Sequence, residues 1–165
     1  MIADELVEEV DEVGTVLRVV TRAQMRAELL RHRCTYIGVV DSRGRLLIHQ
    51  RAATKEVFPS HWDVCAGGVC TAGESWDDSA RRELAEELGI DVPIEHLGHG
   101  TWEGGGASLL GHVYLARSDG PFTFSDGEVV QARFVDDDEL DAMLQSEPFC
   151  PDSVELALPM LLRGR

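Results

Sequence analysis

The chain has 165 residues, 44% hydrophobic and 27% charged, with a formal net charge of −15. Length and composition fit one folded domain with its own core and exclude a disordered chain. The charge argues against a surface for DNA, RNA or anionic membrane, whose phosphates would be repelled, but not against a small phosphorylated ligand bridged by a cation.

Residues 1–12 carry Asp4, Glu5, Glu8, Glu9, Asp11 and Glu12 without a base, which predicts a solvated, frayed acidic segment ahead of a single domain over 13–165. Met1–Asp4 lacks the basic start and apolar stretch of a signal peptide, and no apolar run reaches transmembrane length. Cys34, Cys65, Cys70 and Cys150 form no CxxC pair, so neither a disulfide framework nor structural zinc is expected, and the reducing cytoplasm is the expected compartment. Val13–Val20 is a valine-rich strand. Thr21 and Gln24 have capping-box spacing, and Met25, Leu29 and Leu30 form a stripe, predicting a helix through TRAQMRAELLRHR. TYIGVVD and RLLIHQR around Ser42-Arg43-Gly44 read as a hairpin. Ala52–Ser60 is a loop, followed by a helix over Trp76–Leu88. Strands are expected at Ile94–Trp102, Ser108–Ala116 and Glu128–Val135, then a helix at Asp136–Leu144. Pro151 suits the start of a last helix, which Pro159 would end or kink. Phe58, Trp62 and Trp102 are expected in the core. Strands interleaved with helices give a mixed α/β or α+β domain.

The helix before Gly89 carries an electrostatic anomaly. Glu83, Glu86 and Glu87 stand three and four residues apart, near the negative end of the helix dipole. Ser75 caps the start and Gly89 the end. Ala80, Leu84 and Leu88 define the buried stripe, and at ~100° per residue Glu87 falls about 20° from its edge, Glu83 about 60° and Glu86 about 120°. Glu87 and Glu83 therefore border the core. A partly buried carboxylate must be paired, protonated or bound to metal. Three converging carboxylates suit a hard divalent cation such as Mg²⁺.

These residues match a family pattern. Gly68, five residues, Glu74, seven residues, then RELAEELGI (Arg82–Ile90) resembles a complete Nudix box, over residues 68–90. The resemblance implies an α/β/α sandwich with a mixed sheet. It implies hydrolysis of a nucleoside diphosphate linked to another group, with Mg²⁺ or Mn²⁺ held against a small-molecule diphosphate. It implies Glu83 and Glu87 as principal metal ligands, Glu86 as a further or water-bridged ligand, and the Gly68 carbonyl as a backbone ligand. Arg82 would orient a glutamate, with Glu74 in support. For the general base the sequence leaves Glu83, Glu128 and Glu103 open, and Glu128 could also be an outside ligand.

A narrower likeness covers RAATKEVFPSHWDVCAGG, which resembles the segment before the box in isopentenyl-diphosphate isomerases and their hydrolase relatives. It implies that Arg51 and Lys55 bind the diphosphate, which suits their charge and reach. The isomerases' catalytic Cys and metal-binding His fall here on Gly67 and Val69. Cys65 shares an extended face with Gly67, about 7 Å away along the chain. The chain thus resembles the hydrolase branch. An isomerase of an allylic diphosphate and a non-catalytic nucleotide-binding module remain as alternatives. No histidine pair has ligand spacing: His96 and His99 would face opposite sides of a strand. Substrate and oligomeric state, a homo-oligomer included, are left open.

Overall fold

The computed structural model describes residues 2–165. Its centre is β3 (Arg31–Val40), buried on both faces. One side of β3 runs parallel to β8 (Ala107–Arg117), from Arg31↔Ser108 to Val40↔Arg117. The other side runs antiparallel to β6 (Ala66–Val69) and touches β1 (Leu6–Val10) at Glu9↔His32. β1 pairs in turn with β2 (Val16–Thr21), and β8 with β7 (Ile94–Gly104). Alternation along β3 builds two cores. Cys34, Tyr36 and Val40 pack towards the C-terminal helix, whereas Ile37 and Val39 pack towards α2 (Trp76–Leu88). Gly38 lets that C-terminal helix approach closely, since a Cβ there would fall 2.3 Å from Leu161 Cδ2. The result is the expected mixed-sheet α/β/α sandwich.

Four sequence expectations are corrected. The acidic start is not frayed: Val7 and Val10 are buried, and Glu8 pairs with Arg33 Nε at 2.9 Å. Bases from distant elements neutralise the run, which the local sequence does not display. α1 (Arg22–Glu28), capped by Thr21 as expected, stops early because Leu29 turns left-handed at φ 53°; Arg31–Arg33 belong to β3. The hairpin opens after one pair, Val40↔Leu46. β4 (Leu46–Arg51) leaves β3 to pair with β9 (Val129–Val135) and with β5 (Trp62–Asp63), so the two strands serve different neighbours. Pro159 does not end the last helix. A π-helical turn, Ser153–Ala157, precedes α4 (Leu158–Gly164) and places the proline where its missing N–H is tolerated.

Elsewhere α3 (Asp137–Ser146) starts on a full capping box, Asp136 with Glu139. Trp62 and Trp102 are buried and Phe58 packs against the same core. All four cysteines are free and buried. Among the described residues no helix is long and apolar enough to cross a membrane.

Candidate active site

Helix α2 positions the acids. Ser75 Oγ accepts from Asp78 N at 3.1 Å, and Gly89 closes the helix at φ 66°. Ala80, Leu84 and Leu88 anchor one face in the core beneath β3. That anchoring carries Glu83 (8% exposed) and Glu87 (4%) inward and leaves Glu86 exposed. The inward pair faces β6, where a Cβ on Gly68 would lie 2.7 Å from Glu83 Oε1. Only glycine admits the carboxylate at that distance.

Arg82 organises the acids on its side of the helix. Its Nε donates to Glu74 Oε1 at 2.7 Å and its Nη2 to Glu74 Oε2 at 3.0 Å. Its Nη1 donates to Glu83 Oε1 at 2.8 Å and to Glu86 Oε2 at 3.2 Å. Thr71 N donates to Glu74 Oε2 at 3.1 Å, which fixes the fork from behind. Arg82 thus holds two acids of the cleft and contacts Glu74 bidentately.

Glu87 is different. Among the described residues none forms a hydrogen bond or ion pair with it. Burial, reinforced by the charge of Glu83, pushes its carboxyl well above the usual range, against the pull of Lys55. Burial also lifts Glu83, to about 7, despite Arg82. Arg82 lies between Glu83 and Glu86, but among the described residues no base pairs with Glu87. Oxygen donors from Glu83, Glu86 and Glu87 beside a bare glycine are of the chemical type that a hard cation such as Mg²⁺ prefers.

Glu128 also reaches this cleft. It stands just before β9, lines the same cavity as Glu83 and Glu86, and receives Lys55 Nζ on Oε2 at 3.0 Å. Glu103 does not line it; its Oε1 accepts from Arg31 Nη2 at 3.1 Å and from Ser108 Oγ at 3.3 Å. Arg51 and Lys55 line a deeper cavity that continues past Gly67 and Gly68. Arg51 also braces the 52–60 loop, donating through Nη2 to Val57 O at 2.9 Å and lying 3.7 Å from Asp63 through Nη1.

Sequence reasoning missed Arg22 and Arg26, one turn apart on α1, which line this deeper cavity. Among the described residues the buried Nε atoms of Arg22, Arg26 and Arg51 have no hydrogen-bond partner, although those of Arg22 and Arg26 lie 4.0 and 3.7 Å from Glu56 Oε2. The i, i+4 spacing of the two α1 arginines was a signal, but the sequence does not tell which way the helix faces. At the positions matching the isomerase residues, Gly67 has φ 146°, and a Cβ there would fall 1.9 Å from Thr35 O. No side chain fits. Val69 is buried in the core, and burial drives the Cys65 thiol well above its ordinary range, away from the reactive thiolate.

The NUDIX domain family model matches residues 30–154. The uncharacterized Nudix hydrolase YfcD of Escherichia coli K12 is 40% identical over 158 residues, covering 94% of this chain and 87% of that protein. The uncharacterized Nudix hydrolase PA4841 of Pseudomonas aeruginosa is 38% identical over 152 residues, covering 92% and 90%. Among solved structures, DR0079 from Deinococcus radiodurans superposes with a TM-score of 0.79 at 24% identity, covering 96% of this chain and 98% of that one. The NUDIX domain of Shewanella oneidensis NrtR, solved with ADP ribose, gives 0.64 at 19% identity, covering 87% and 97%. At these identities the two structures speak for the fold.

Proposed function

The chain belongs to the Nudix hydrolase family, and from that premise we propose that it hydrolyses a diphosphate bond in a nucleoside diphosphate derivative with Mg²⁺, or Mn²⁺ in its place. The observation that carries this reading is Glu87, a buried carboxylate without a hydrogen bond or ion pair among the described residues, near Glu83 and the bare backbone of Gly68. Glu83, Glu86, Glu87 and the Gly68 carbonyl would hold the ion. The bound metal supplies Lewis acidity and neutralises phosphate charge.

The residues themselves divide the remaining work. Arg82 keeps Glu83 and Glu86 in place and does not touch the substrate. Glu128, kept near the acids and paired to Lys55, is available to take a proton from water; Glu83 is the other candidate base. Lys55, Arg51, Arg22 and Arg26 offer a cationic wall on which phosphate oxygens would meet guanidinium nitrogens that lack a hydrogen bond among the described residues. The ADP ribose bound to the Shewanella NUDIX domain is a compound of the same chemical class, a nucleoside diphosphate linked to another group. The narrower likeness to isopentenyl-diphosphate isomerases extends to this cationic wall but not to the reaction, because Gly67 admits no thiol. The free, buried cysteines accord with residence in the cytoplasm.

Turnover of a panel of nucleoside triphosphates, nucleotide sugars and dinucleotides, followed by nucleotide and phosphate release with Mg²⁺ or Mn²⁺, tests the proposal. Release of a nucleoside monophosphate from at least one member is expected. Tight binding without release would instead favour a nucleotide-sensing module.

A further inference from the structure

Outside the acidic cleft, three imidazoles meet on the β7–β8 ribbon. His99 lies directly opposite His112, and His96 opposite Tyr114. Regular alternation would put His96 and His99 on opposite faces. The register shifts between His96 and Gly98, so Leu97 is an extra residue in β7. That bulge turns both histidines to the α2 side of the sheet, where Tyr114 and Ala116 also point. One ring nitrogen from each of His96, His99 and His112 lies within 4.8 Å of the other two. His96 Nε2 and His112 Nδ1 are already 2.9 Å apart.

The cluster is oriented rather than loose. Trp76, the first residue of α2, stacks on His112 at 3.8 Å between centroids and 17° between planes. His99 also stacks on His112, at 5.2 Å between centroids and 20° between planes. Tyr114 Oη donates to Asp77 Oδ1 at 2.8 Å, which places a carboxylate beside the cluster. His96 and His99 are exposed, so their rings can turn, while His112 is half-buried.

We propose that His96, His99 and His112 form a second metal site, for a divalent transition ion of the zinc type, with a fourth position open to water. Three neutral nitrogen donors favour Zn²⁺, Cu²⁺ or Ni²⁺ over Mg²⁺, the reverse of the all-oxygen cleft. Tetrahedral zinc–nitrogen bonds of about 2.0–2.1 Å set the nitrogens about 3.3 Å apart, so a small rotation of the two exposed rings has to part His96 Nε2 from His112 Nδ1 and admit the ion between them.

The test is Zn²⁺ competition against a chromophoric chelator, with Mg²⁺ in excess to fill the carboxylate cleft. One equivalent of Zn²⁺ is expected on the unaltered protein. His99→Ala should weaken it by about tenfold or more, and His96→Ala/His99→Ala should abolish it. Replacing Zn²⁺ with Co²⁺ should give the visible absorption of a tetrahedral nitrogen site without a thiolate charge-transfer band. Equal affinity in all three proteins, a thiolate band, or no binding at micromolar ion would overturn the proposal. Imidazole resonances of the unaltered protein give an answer independent of the variants' folding. Zn²⁺ should move those of these three histidines, and movement confined to others would contradict the site.

Discussion

A Cβ on Gly68 would fall 2.7 Å from Glu83 Oε1. The strand and the helix that carry these residues follow one another in the chain, and the backbone of one is shaped to the carboxylate of the other. Gly68→Ala should therefore push Glu83 aside without disturbing the buried stripe of α2. Activity should fall by at least about 100-fold, with a raised Mg²⁺ requirement and little change in melting temperature. Steady-state rates over a Mg²⁺ series check this; unchanged Mg²⁺ dependence would refute the role of Gly68.

Glu87→Gln replaces an unpaired buried carboxylate by a neutral isostere. Without metal the variant should be more stable than the parent by about 1–3 kcal/mol at pH 8, because a desolvated charge is gone. With Mg²⁺ it should show no turnover and no gain in stability. Denaturant titration and an activity assay measure both halves, and a destabilised metal-free variant would count against an unpaired Glu87.

Mg²⁺ stabilisation should depend on pH with a defined sign. Burial lifts Glu83 from 4.5 to about 7, and lifts Glu87 in the same direction. The metal-free fold therefore takes up protons that the unfolded chain releases. The stability linked to them is complete below pH 4.5 and is lost as pH rises through about 7. Mg²⁺ replaces those protons, so its shift of the melting temperature should be larger at about pH 8 than at about pH 6, with protons released on binding at the lower value. Burial holds His32 down to about 4, which weakens the fold as pH falls below 6.5, but equally with and without Mg²⁺. The Mg²⁺-induced difference thus isolates the carboxylates. An identical shift at both pH values would contradict their assignment.

Gly67→Cys should not create an isomerase. Its Cβ would meet Thr35 O at 1.9 Å, and the backbone already sits at φ 146°. A loss of about 3 kcal/mol or more is expected, read by thermal melting. Incubation with isopentenyl diphosphate should give no allylic isomer. A stable Gly67→Cys protein would mean that the strand pairing at Thr35 is looser than described.

The acidic helix was legible because its periodicity, both caps and the spacing of its three glutamates are local properties of residues 75–89. Arg82 was legible for the same reason, being within one turn of the acids it holds. The strand at Leu6–Val10 was hidden, since its acids find Arg18, Arg22 and Arg33 only after folding. The opened hairpin was hidden because TYIGVVD and RLLIHQR look like partners along their length, whereas only Val40 and Leu46 pair and β9 takes up the rest of β4. The triad of histidines was hidden by a single extra residue: Leu97 resets the alternation on which the reading of His96 and His99 rested. Arg22 and Arg26 showed their spacing but not the cavity they face.

Anomalous diffraction from a crystal soaked in Mn²⁺ tests the central claim most directly. A peak bounded by the carboxylates of Glu83, Glu86 and Glu87 and the carbonyl of Gly68, absent in Glu87→Gln, is the predicted result. A manganese peak that survives unchanged in Glu87→Gln, or one confined to other acids such as Asp63 and Asp152, would contradict it.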